Sequence, residues 1–411
     1  MRTVHKLGWA CVSFFAYITL MPSLTIIFMN QLPRDSPFIL SDGDKVTCTP
    51  FRDLYPAATW HIGPSMGFRD SEEEGDLSST RDSSIKQAQQ VLKVEKRSCG
   101  TGRVPTRRPT GKPSLTIRPG RKAYMRRNLP NPTQSDSNAL WPEDHNGHKY
   151  AVASIAGPYT GTQGRLNVWQ PYVEDEEFSL AQVWVASIDK HGFSHSLEAG
   201  WQIYKDLYAD KRPRLFTFWT TDNYTSSGCY NLECPGFVQT SNKVLLGGSF
   251  AAVSTMDSTQ FEIKIGIFLD KSSGNWWLRL NDEFVGYWPK LLLGPGAFNF
   301  TSGSTTRVDW GGEIWHQPGH YTSTQMGSGQ HPSLAGFRKA AYVRNMEVIT
   351  RDKGLHRVSD PHSISSYPRC CHVVAYNHTI VSKPDWGTHV FFGGPGFTKD
   401  CSTDQVHGSA G

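Results

Sequence analysis

Short segments in which apolar and polar residues alternate dominate the chain from about residue 148 onward. The clearest is 261–269, in which all five odd-numbered residues are apolar and would fall on one face of an extended strand. No helix of ten or more residues interrupts these segments. The pattern therefore predicts an all-β protein, an antiparallel two-sheet β-sandwich of the jelly-roll kind. The other segments with this period are 166–169, 178–188, 215–220, 244–253, 276–280, 342–349 and 389–392.

The first 28 residues have a different pattern. Arg2 and Lys6 precede a long uncharged run, which is typical of a secretory signal peptide. Because no clear small-x-small cleavage site follows, a signal anchor stays an alternative. No second apolar span follows, so we expect a secreted protein, extracellular or in the cell wall, without membrane contact once the signal is cleaved.

Residues 29–144 are rich in charge and proline. Between residues 93 and 127 there are twelve Lys or Arg against one acid, Glu95. Such a segment cannot collapse into a core and is expected to be a poorly structured, solvated linker. Its aromatic content is Tyr124 alone, so we expect no nucleic-acid partner. The remainder, 145–411, forms the predicted β-sandwich domain.

Two stretches hold candidate catalytic carboxylates. Glu198 lies in H-S-L-E-A-G-W-Q-I-Y (195–204), and Glu313 lies in V-D-W-G-G-E-I-W (308–315). A carboxylate held against indole rings and glycine backbone loses water, which disfavours its charged form and suits it to proton transfer. We expect both side chains in one cleft, close enough for a water to bridge them and for the pair to share a proton.

Both stretches resemble the motifs that carry the catalytic glutamates of the neprosin family, plant glutamic endopeptidases. The resemblance implies a prolyl endopeptidase that cleaves proline-containing peptides at acid pH with an activated water and no metal or other cofactor. The carboxy-terminal end departs from the family, whose C-Y-D is replaced by C-C-H (370–372). Seven further segments match in order: F-S-L-A-Q (178–182), R-L-F-T-F-W-T-T-D (214–222), G-C-Y-N (228–231), W-W (276–277), G-Y-W-P (286–289), T-S-T-Q-M-G-S-G (322–329) and F-G-G-P-G (392–396).

The segment before the β domain also resembles the family. D-G-D-K-V-T-C (42–48) and C-G-T-G-R-V-P-T-R-R (99–108) are similar to parts of the neprosin activation peptide. The resemblance therefore implies that 29–144 is a propeptide and 145–411 the peptidase domain. We expect the propeptide to cover the cleft of a zymogen and to be released in acid, when the acidic cluster 70–76 becomes protonated.

Within the matched motifs, polar and amphipathic side chains are candidates for binding the peptide, although hydrogen bonding inside a buried sheet is an equal alternative. The expected partners are a peptide or protein substrate and the chain's own propeptide, and the expected state is a monomer. The candidate substrate-binding residues are Gln182, Trp219, Gln325 and Ser328.

Eight cysteines suit an oxidising compartment. Cys229 and Cys234 can close a short loop, and Cys401 is expected to pair with Cys370 or Cys371. Cys48, Cys99 and the remaining member of the adjacent pair stay unassigned, and no metal-binding spacing occurs. N-x-S/T sequons, typical of the surface of a secreted glycoprotein, occur at Asn223, Asn299 and Asn377.

Two other functions fit the same features. A glycoside hydrolase would also place two carboxylates in an aromatic β-sandwich. A non-catalytic glycan-binding β-sandwich of the cell wall would keep the fold without the chemistry. Release of peptides from a proline-rich protein, against release of sugar from a wall glycan, would discriminate them.

Overall fold

The structure of the protein is a computed structural model. It describes residues 36–58, 63–64, 83–108, 147–189, 192–222, 224, 227–293, 305–350, 354–376 and 386–402. The predicted signal segment, the boundaries at 28 and 144 and the acidic cluster 70–76 lie outside these ranges and stay predictions. Within the described ranges no helix is long and apolar enough to cross a membrane.

Strands are the main regular elements of the described chain, and the helices are single turns. The helices are α1 Phe51–Leu54, α2 Val91–Val94, α3 Lys205–Tyr208, α4 Lys290–Leu293 and α5 Lys399–Ser402. The strands are β1 Phe38–Ile39, β2 Lys45–Pro50, β3 Ile85–Gln87, β4 Arg103–Arg108, β5 His148–Gly157, β6 Tyr159–Asn167, β7 Phe178–Asp189, β8 Gly192–Tyr204, β9 Arg214–Thr220, β10 Cys229–Tyr230, β11 Val238–Gln239, β12 Gln260–Leu269, β13 Trp276–Leu280, β14 Glu283–Trp288, β15 Thr305–Trp315, β16 Ala341–Thr350, β17 Gly354–Arg357, β18 His362–Ser365, β19 His372–Tyr376 and β20 His389–Gly393.

In the described residues these strands form three sheets. A seven-stranded sheet has the order β10-β9-β8-β7-β15-β5-β18, and all its pairings are antiparallel. A ten-stranded sheet has the order β11-β14-β13-β12-β6-β16-β20-β19, with β17 beside β16 and β3 beside β12. A small sheet, β1-β2-β4, belongs to the segment that precedes the β domain. The predicted two-sheet antiparallel sandwich is confirmed.

The main core lies between the two large sheets. The alternation in β12 places Ile263, Ile265 and Ile267 in this core, fully buried, as the sequence predicted. From the seven-stranded sheet, Trp201 and Trp310 point into the same core. The other face of the seven-stranded sheet carries a separate cluster of buried, mostly aromatic residues. The candidate site lies on this second face.

The predicted strand at 244–253 is wrong, since this segment is irregular apart from isolated bridges. Its alternating apolar residues face two different cores: Val244 and Leu246 pack into the main core, whereas Leu245 packs against the preceding segment. The Gln90 side chain hydrogen-bonds the backbone N–H and C=O of Leu245. These bonds satisfy backbone groups that a sheet ladder would otherwise use.

Part of the segment 29–144 is folded, which its composition did not predict. Residues 36–58 and 83–108, here called the leader module, contain the β1-β2-β4 sheet and a disulfide between Cys48 and Cys99. Phe51 packs against Trp277 and Tyr287 on the outer side of the ten-stranded sheet. The cysteine pair therefore closes within the leader module and does not tie it covalently to the β domain.

A buried charge network joins the leader module to the β domain. Asp44 accepts a 2.7 Å hydrogen bond from Nη1 of Arg214 and a 2.8 Å bond from Nε of Arg107. Arg214 is fully buried and also donates to Asp210 and to the backbone of Gly247. Buried charges of this kind are stable only when each has a partner, so the leader module completes the environment of Arg214.

Candidate active site

The two candidate glutamates lie on the strands that flank β7. In the register of the seven-stranded sheet, Glu198 on β8 is opposite Trp184, and Glu313 on β15 is opposite Leu180. Leu180, Gln182 and Trp184 alternate along β7 and so share one face. Both glutamates belong to this face, and their exposures are 4% and 2%. The structure thus brings the two predicted carboxylates to one surface.

Between the two glutamates runs a transverse row without bulky side chains. Gln182 is opposite Gly200 on one side and Gly311 on the other, and we call these three residues the glycine row. A Cβ on Gly200 would lie 2.0 Å from the carbonyl oxygen of Ala181, and one on Gly311 would lie 2.2 Å from that of Ala151. Only glycine permits this approach. The row therefore forms a floor on which an extended peptide could lie close to the sheet.

Glu313 is held by groups that reach it from neighbouring strands. Its Oε1 lies 2.6 Å from Nδ1 of His148 on β5, and its Oε2 accepts a 3.4 Å hydrogen bond from Nε2 of Gln182. His148 in turn stacks on Tyr150 with ring centroids 6.0 Å apart. The Oε1 of Gln182 is buried without a hydrogen-bond partner in the described part of the chain. A buried unpaired acceptor at the centre of such a floor suits a ligand N–H or a water.

Glu198 has a different environment, built from hydroxyl groups. Its Oε1 accepts a 2.8 Å hydrogen bond from Ser196 and a 2.5 Å bond from the Tyr224 hydroxyl, whose oxygen also lies 2.9 Å from Oγ of Ser196. Tyr224 stacks on Phe218, the residue opposite Glu198 on β9. A hydroxyl can donate or accept a proton, so these partners suit either protonation state of Glu198.

The two carboxylates lie at different levels of the sheet. The step from Leu180 to Trp184 corresponds to about 14 Å along β7, with about 10 Å more across two strand spacings. At this offset the carboxyl groups cannot hydrogen-bond each other, and Glu198 leans toward Ser196, away from the glycine row. The expected close pair, bridged by one water and sharing a proton, is therefore not what this arrangement provides.

Several polar residues of this face were not predicted. His148, Ser196 and Tyr224 contact the glutamates directly, and Asp309 lies on β15 opposite Trp184, paired with Arg307 at 2.8 Å. Ser196 and Asp309 could have been found from the two-residue spacing along their strands, which places them on the same face as Glu198 and Glu313. His148 could not, because only the sheet order places β5 beside β15.

Among the predicted substrate-binding residues, only Gln182 is placed between the glutamates. Trp219 lies opposite Leu197, so it points into the main core, where its ring packs on Gly236. The candidate role of Trp219 in binding substrate stays a prediction. Gln325 is held by a loop, since its Oε1 accepts a 3.0 Å bond from the N–H of Tyr172. The Ser328 hydroxyl accepts from the N–H of Gln330 at 3.3 Å, within its own turn.

Disulfides connect Cys48 to Cys99, Cys229 to Cys234 and Cys370 to Cys401. Of the two partners predicted for Cys401, the structure has Cys370, and Cys371 is a buried free thiol. Burial raises the pKa of Cys371 to about 12, which keeps it protonated and unreactive. Asn223, Asn299 and Asn377 lie outside the described residues. In the described ranges no group of three or more His, Cys, Asp or Glu could hold a metal ion.

Fold and site together define an all-β protein with two buried glutamates on one face of its seven-stranded sheet. A family model described as Neprosin matches residues 175–395. Among solved structures, the chain is similar to scytalido-glutamic peptidase with a peptide-based transition state analog, with 12% identity and a TM-score of 0.30 over 60% of this chain and 97% of that one. For the same peptidase with a transition state analog inhibitor, the identity is 12% and the TM-score 0.31, over 59% of this chain and 97% of that one. The chain is also similar to SCP-B, a member of the Eqolisin family of peptidases in a complex with the tripeptide Ala-Ile-His. The identity is 14% and the TM-score 0.28, over 60% of this chain and 96% of that one.

The family match covers more than half of the 411 residues, and the chain belongs to the neprosin family. It is accordingly a glutamic endopeptidase, a hydrolase that acts on peptide bonds. The match lies within the predicted peptidase domain and contains Glu198 and Glu313 together with the glycine row.

Proposed function

We propose that this glutamic endopeptidase is a secreted, monomeric enzyme, made as a zymogen, that cleaves proline-containing peptides at acid pH with Glu198 and Glu313. The observation that carries the proposal is the placement of the two glutamates on opposite sides of the glycine row, with Gln182 between them. A peptide lying across this row would have one carboxylate on each side of its scissile bond.

The chemistry requires the two glutamates in different protonation states. The ionised one takes a proton from a water that attacks the scissile carbonyl carbon. The protonated one hydrogen-bonds the carbonyl oxygen and then donates its proton to the leaving nitrogen. The unpaired Oε1 of Gln182 can accept an N–H of the substrate or hold the water. One carboxyl must hold a proton, so activity is expected near or below the ordinary carboxyl values of about 4.

The end of the site near Glu313 supports a preference for proline. Phe178 is in contact with Tyr204 and Trp315, with ring centroids 5.6 and 6.4 Å apart. A prolyl ring is compact and apolar and has no N–H to satisfy, so it can lie against these aromatic side chains without leaving an unpaired donor.

The test of this function replaces each glutamate by its uncharged isostere. Glu198→Gln and Glu313→Gln should fold and lose about 10²- to 10⁴-fold in kcat/KM, because each removes one proton-transfer group. The double variant should lose little more than either single one, since the two act as a unit. Cleavage of a fluorogenic proline-containing peptide between roughly pH 2.5 and 7 measures this.

Glu283→Gln is the matched control, because Glu283 is a surface residue paired with Lys243 and should keep full activity. Wild-type cleavage that survives in either glutamine variant at the active site would contradict the proposal. Preference for a glycan over the peptide, or equal cleavage of peptides without proline, would contradict its substrate.

A further inference from the structure

Gln202 is a polar residue of the candidate site that the chemistry described so far does not use. It lies on β8 opposite Leu180 of β7, and Glu313 is opposite Leu180 on the other side. Gln202 and Glu313 therefore belong to one transverse row, on the face of the sheet that carries the glycine row. The Gln202 side chain is fully buried, so its polar atoms need partners other than bulk water.

The amide of Gln202 is bonded at its nitrogen. Its Nε2 donates a 3.4 Å hydrogen bond to the hydroxyl of Tyr230. Tyr230 packs against Tyr204 and Phe216, with ring centroids 6.5 and 6.1 Å apart. Burial raises the pKa of Tyr230 well above its ordinary value, so this hydroxyl stays neutral. The contact directs Nε2 toward Tyr230 and leaves Oε1 on the other side of the amide.

The amide oxygen of Gln202 is a buried acceptor. It has no hydrogen-bond partner in the described part of the chain. Arg214 is opposite Gln202 on β9, but its Nη1 donates to Asp44 and to the carbonyl of Gly247, and its Nε donates to Asp210. A buried acceptor that meets no donor is costly, so this oxygen suits an N–H that arrives with a ligand.

A second amide oxygen of the same kind lies on the neighbouring strand. Gln182 is opposite Gly200, two residues from Gln202 along β8, which makes the two glutamines diagonal neighbours about 7 to 8 Å apart. The Oε1 of Gln182 is also buried without a partner among the described residues. The N–H groups along one edge of an extended peptide belong to alternate residues and repeat about every 7 Å. The two oxygens therefore match two N–H groups on one edge of an extended chain.

We propose that Gln202 is a substrate-binding residue whose Oε1 accepts a backbone N–H of the peptide, while Gln182 accepts the N–H two residues away. The inference rests on the proposed function of the site and adds a determinant of its specificity. Proline has no N–H, so a proline at the position that meets Gln202 leaves this oxygen unpaired. The site thus accepts proline elsewhere along the peptide and discriminates against it at this one position.

The test removes the contact from the peptide and from the protein in turn. The fluorogenic proline-containing peptide is prepared as a series in which one backbone nitrogen at a time is methylated. With the wild type, methylation of the nitrogen that meets Gln202 should lower kcat/KM about 10- to 100-fold. The cost should be the same at every pH at which the enzyme is active, because an amide does not titrate. Gln202→Met keeps the length of the side chain and removes the acceptor, so the same methylation should then cost only a few-fold.

Two control variants separate the acceptor from the packing. Gln202→Glu keeps an acceptor oxygen and should keep the full cost of methylation. Gln239 is a fully buried glutamine on β11 of the ten-stranded sheet, and its Oε1 likewise has no partner within the described ranges. Gln239→Met repeats the chemical change away from the site and should leave the methylation profile of the wild type unchanged.

Tyr230→Phe tests the same contact if Gln202→Met does not fold. It keeps the ring and removes the hydroxyl that holds Nε2, so the amide can turn. The cost of methylation at the same nitrogen should fall about 2- to 10-fold. A profile that neither Gln202→Met nor Tyr230→Phe changes overturns the proposal, and so does a cost that Gln239→Met removes equally.

These results are independent of those for the glutamates, because the methylation series reports on substrate binding whichever groups move the protons. Wild-type cleavage that survives in Glu198→Gln or Glu313→Gln rejects the proposed function, and the series then still decides whether Gln202 binds the peptide. Loss of cleavage in both of these variants, together with a methylation profile that does not depend on Gln202, keeps the proposed function and overturns this inference.

Discussion

Glu198 depends on a hydroxyl that reaches it from a loop. Tyr224 has a φ of +59°, in the left-handed region that a tyrosine rarely adopts. Its ring packs on Phe218, and its hydroxyl lies 2.5 Å from Glu198. An unfavourable backbone conformation persists where the surrounding contacts fix it, and such positions concentrate at functional sites. We infer that the strain is compensated by the hydrogen bond to the carboxylate.

Tyr224→Phe removes this hydrogen bond and keeps the ring. Hydrogen bonds to charged groups contribute about 1.5–3 kcal/mol, so kcat/KM should fall about 10- to 100-fold, with the ring contact and the fold preserved. Tyr172→Phe, at an exposed position, is the control and should leave activity unchanged. Equal activity of the two variants would show that the Tyr224 hydroxyl does not act on Glu198.

A buried lysine on the opposite side of β5 gives a prediction about stability. Burial lowers the pKa of Lys149 from 10.5 to about 7, and its Nζ lies 4.1 Å from the ring centroid of Phe397. Between pH 7 and the ordinary lysine value, the unfolded chain binds a proton that the folded chain does not. The free energy of unfolding of the wild type should therefore rise with pH in this window.

Lys149→Met has no such group, so the two chains should respond differently to pH. At pH 5 the variant should be the more stable, because the wild type must bury a charged amine. Above pH 7 this advantage should shrink by about 1.4 kcal/mol for each pH unit. Urea unfolding at pH 5, 7 and 9 measures it, and a constant difference across the three would disprove the burial of a titrating amine.

The spacing of glutamate and glycine differs between β8 and β15, and the difference determines the shape of the site. β8 contains E-x-G, from Glu198 to Gly200, and β15 contains G-x-E, from Gly311 to Glu313. Both strands run antiparallel to β7 and therefore parallel to each other. With both glycines opposite Gln182, the glutamates must fall on opposite sides of the glycine row.

Gly200→Ala and Gly311→Ala should both damage the sheet and the site. Each new Cβ meets backbone oxygen, at 2.0 and 2.2 Å, so a strand must shift. We expect a loss of about 1–3 kcal/mol or more in the free energy of unfolding and a large loss of activity. Gly266→Ala in β12, where the nearest atom is 3.7 Å away, should change both far less. Wild-type stability in Gly200→Ala or Gly311→Ala would contradict the close approach.

The leader module and the β domain share one charge network. Arg214, the first residue of β9, is opposite Gln202 and therefore lies in the same transverse row as Glu313. Asp44 of the leader module binds it there. The leader module therefore binds the seven-stranded sheet at the edge of the face that carries the glutamates. That it covers the cleft stays a prediction.

Asp44→Asn should loosen the leader module, because it leaves Arg107 and Arg214 with less compensation for their burial. Removing one partner of a buried pair costs about 3–5 kcal/mol in the free energy of unfolding. Because Arg214 keeps its contact with Asp210, we expect a loss near the lower value. The variant should show faster amide exchange in the module and release it at a higher pH than the wild type. Asp53→Asn, at an exposed position, is the control.

Measuring the mass of the full-length chain at descending pH detects this release. If both variants and the wild type stay full length at every pH, acid processing by the chain itself is wrong. If Asp44→Asn is processed at the same pH as the wild type, the Asp44–Arg214 contact does not control release.

The sequence by itself determined the all-β fold, the family and the two glutamates, because alternation along a strand and short motifs around a residue are local properties. It also fixed which neighbours share a face, such as Ser196 with Glu198. The tertiary structure decided what depends on strand order. Only the pairing of β5 and β15 brings His148 to Glu313, only the register with β7 places the glutamates at different levels, and only packing directs Trp219 into the core. The leader module was missed for the same reason, since its stability comes from Cys48–Cys99 and from contacts with a distant domain, which composition does not record.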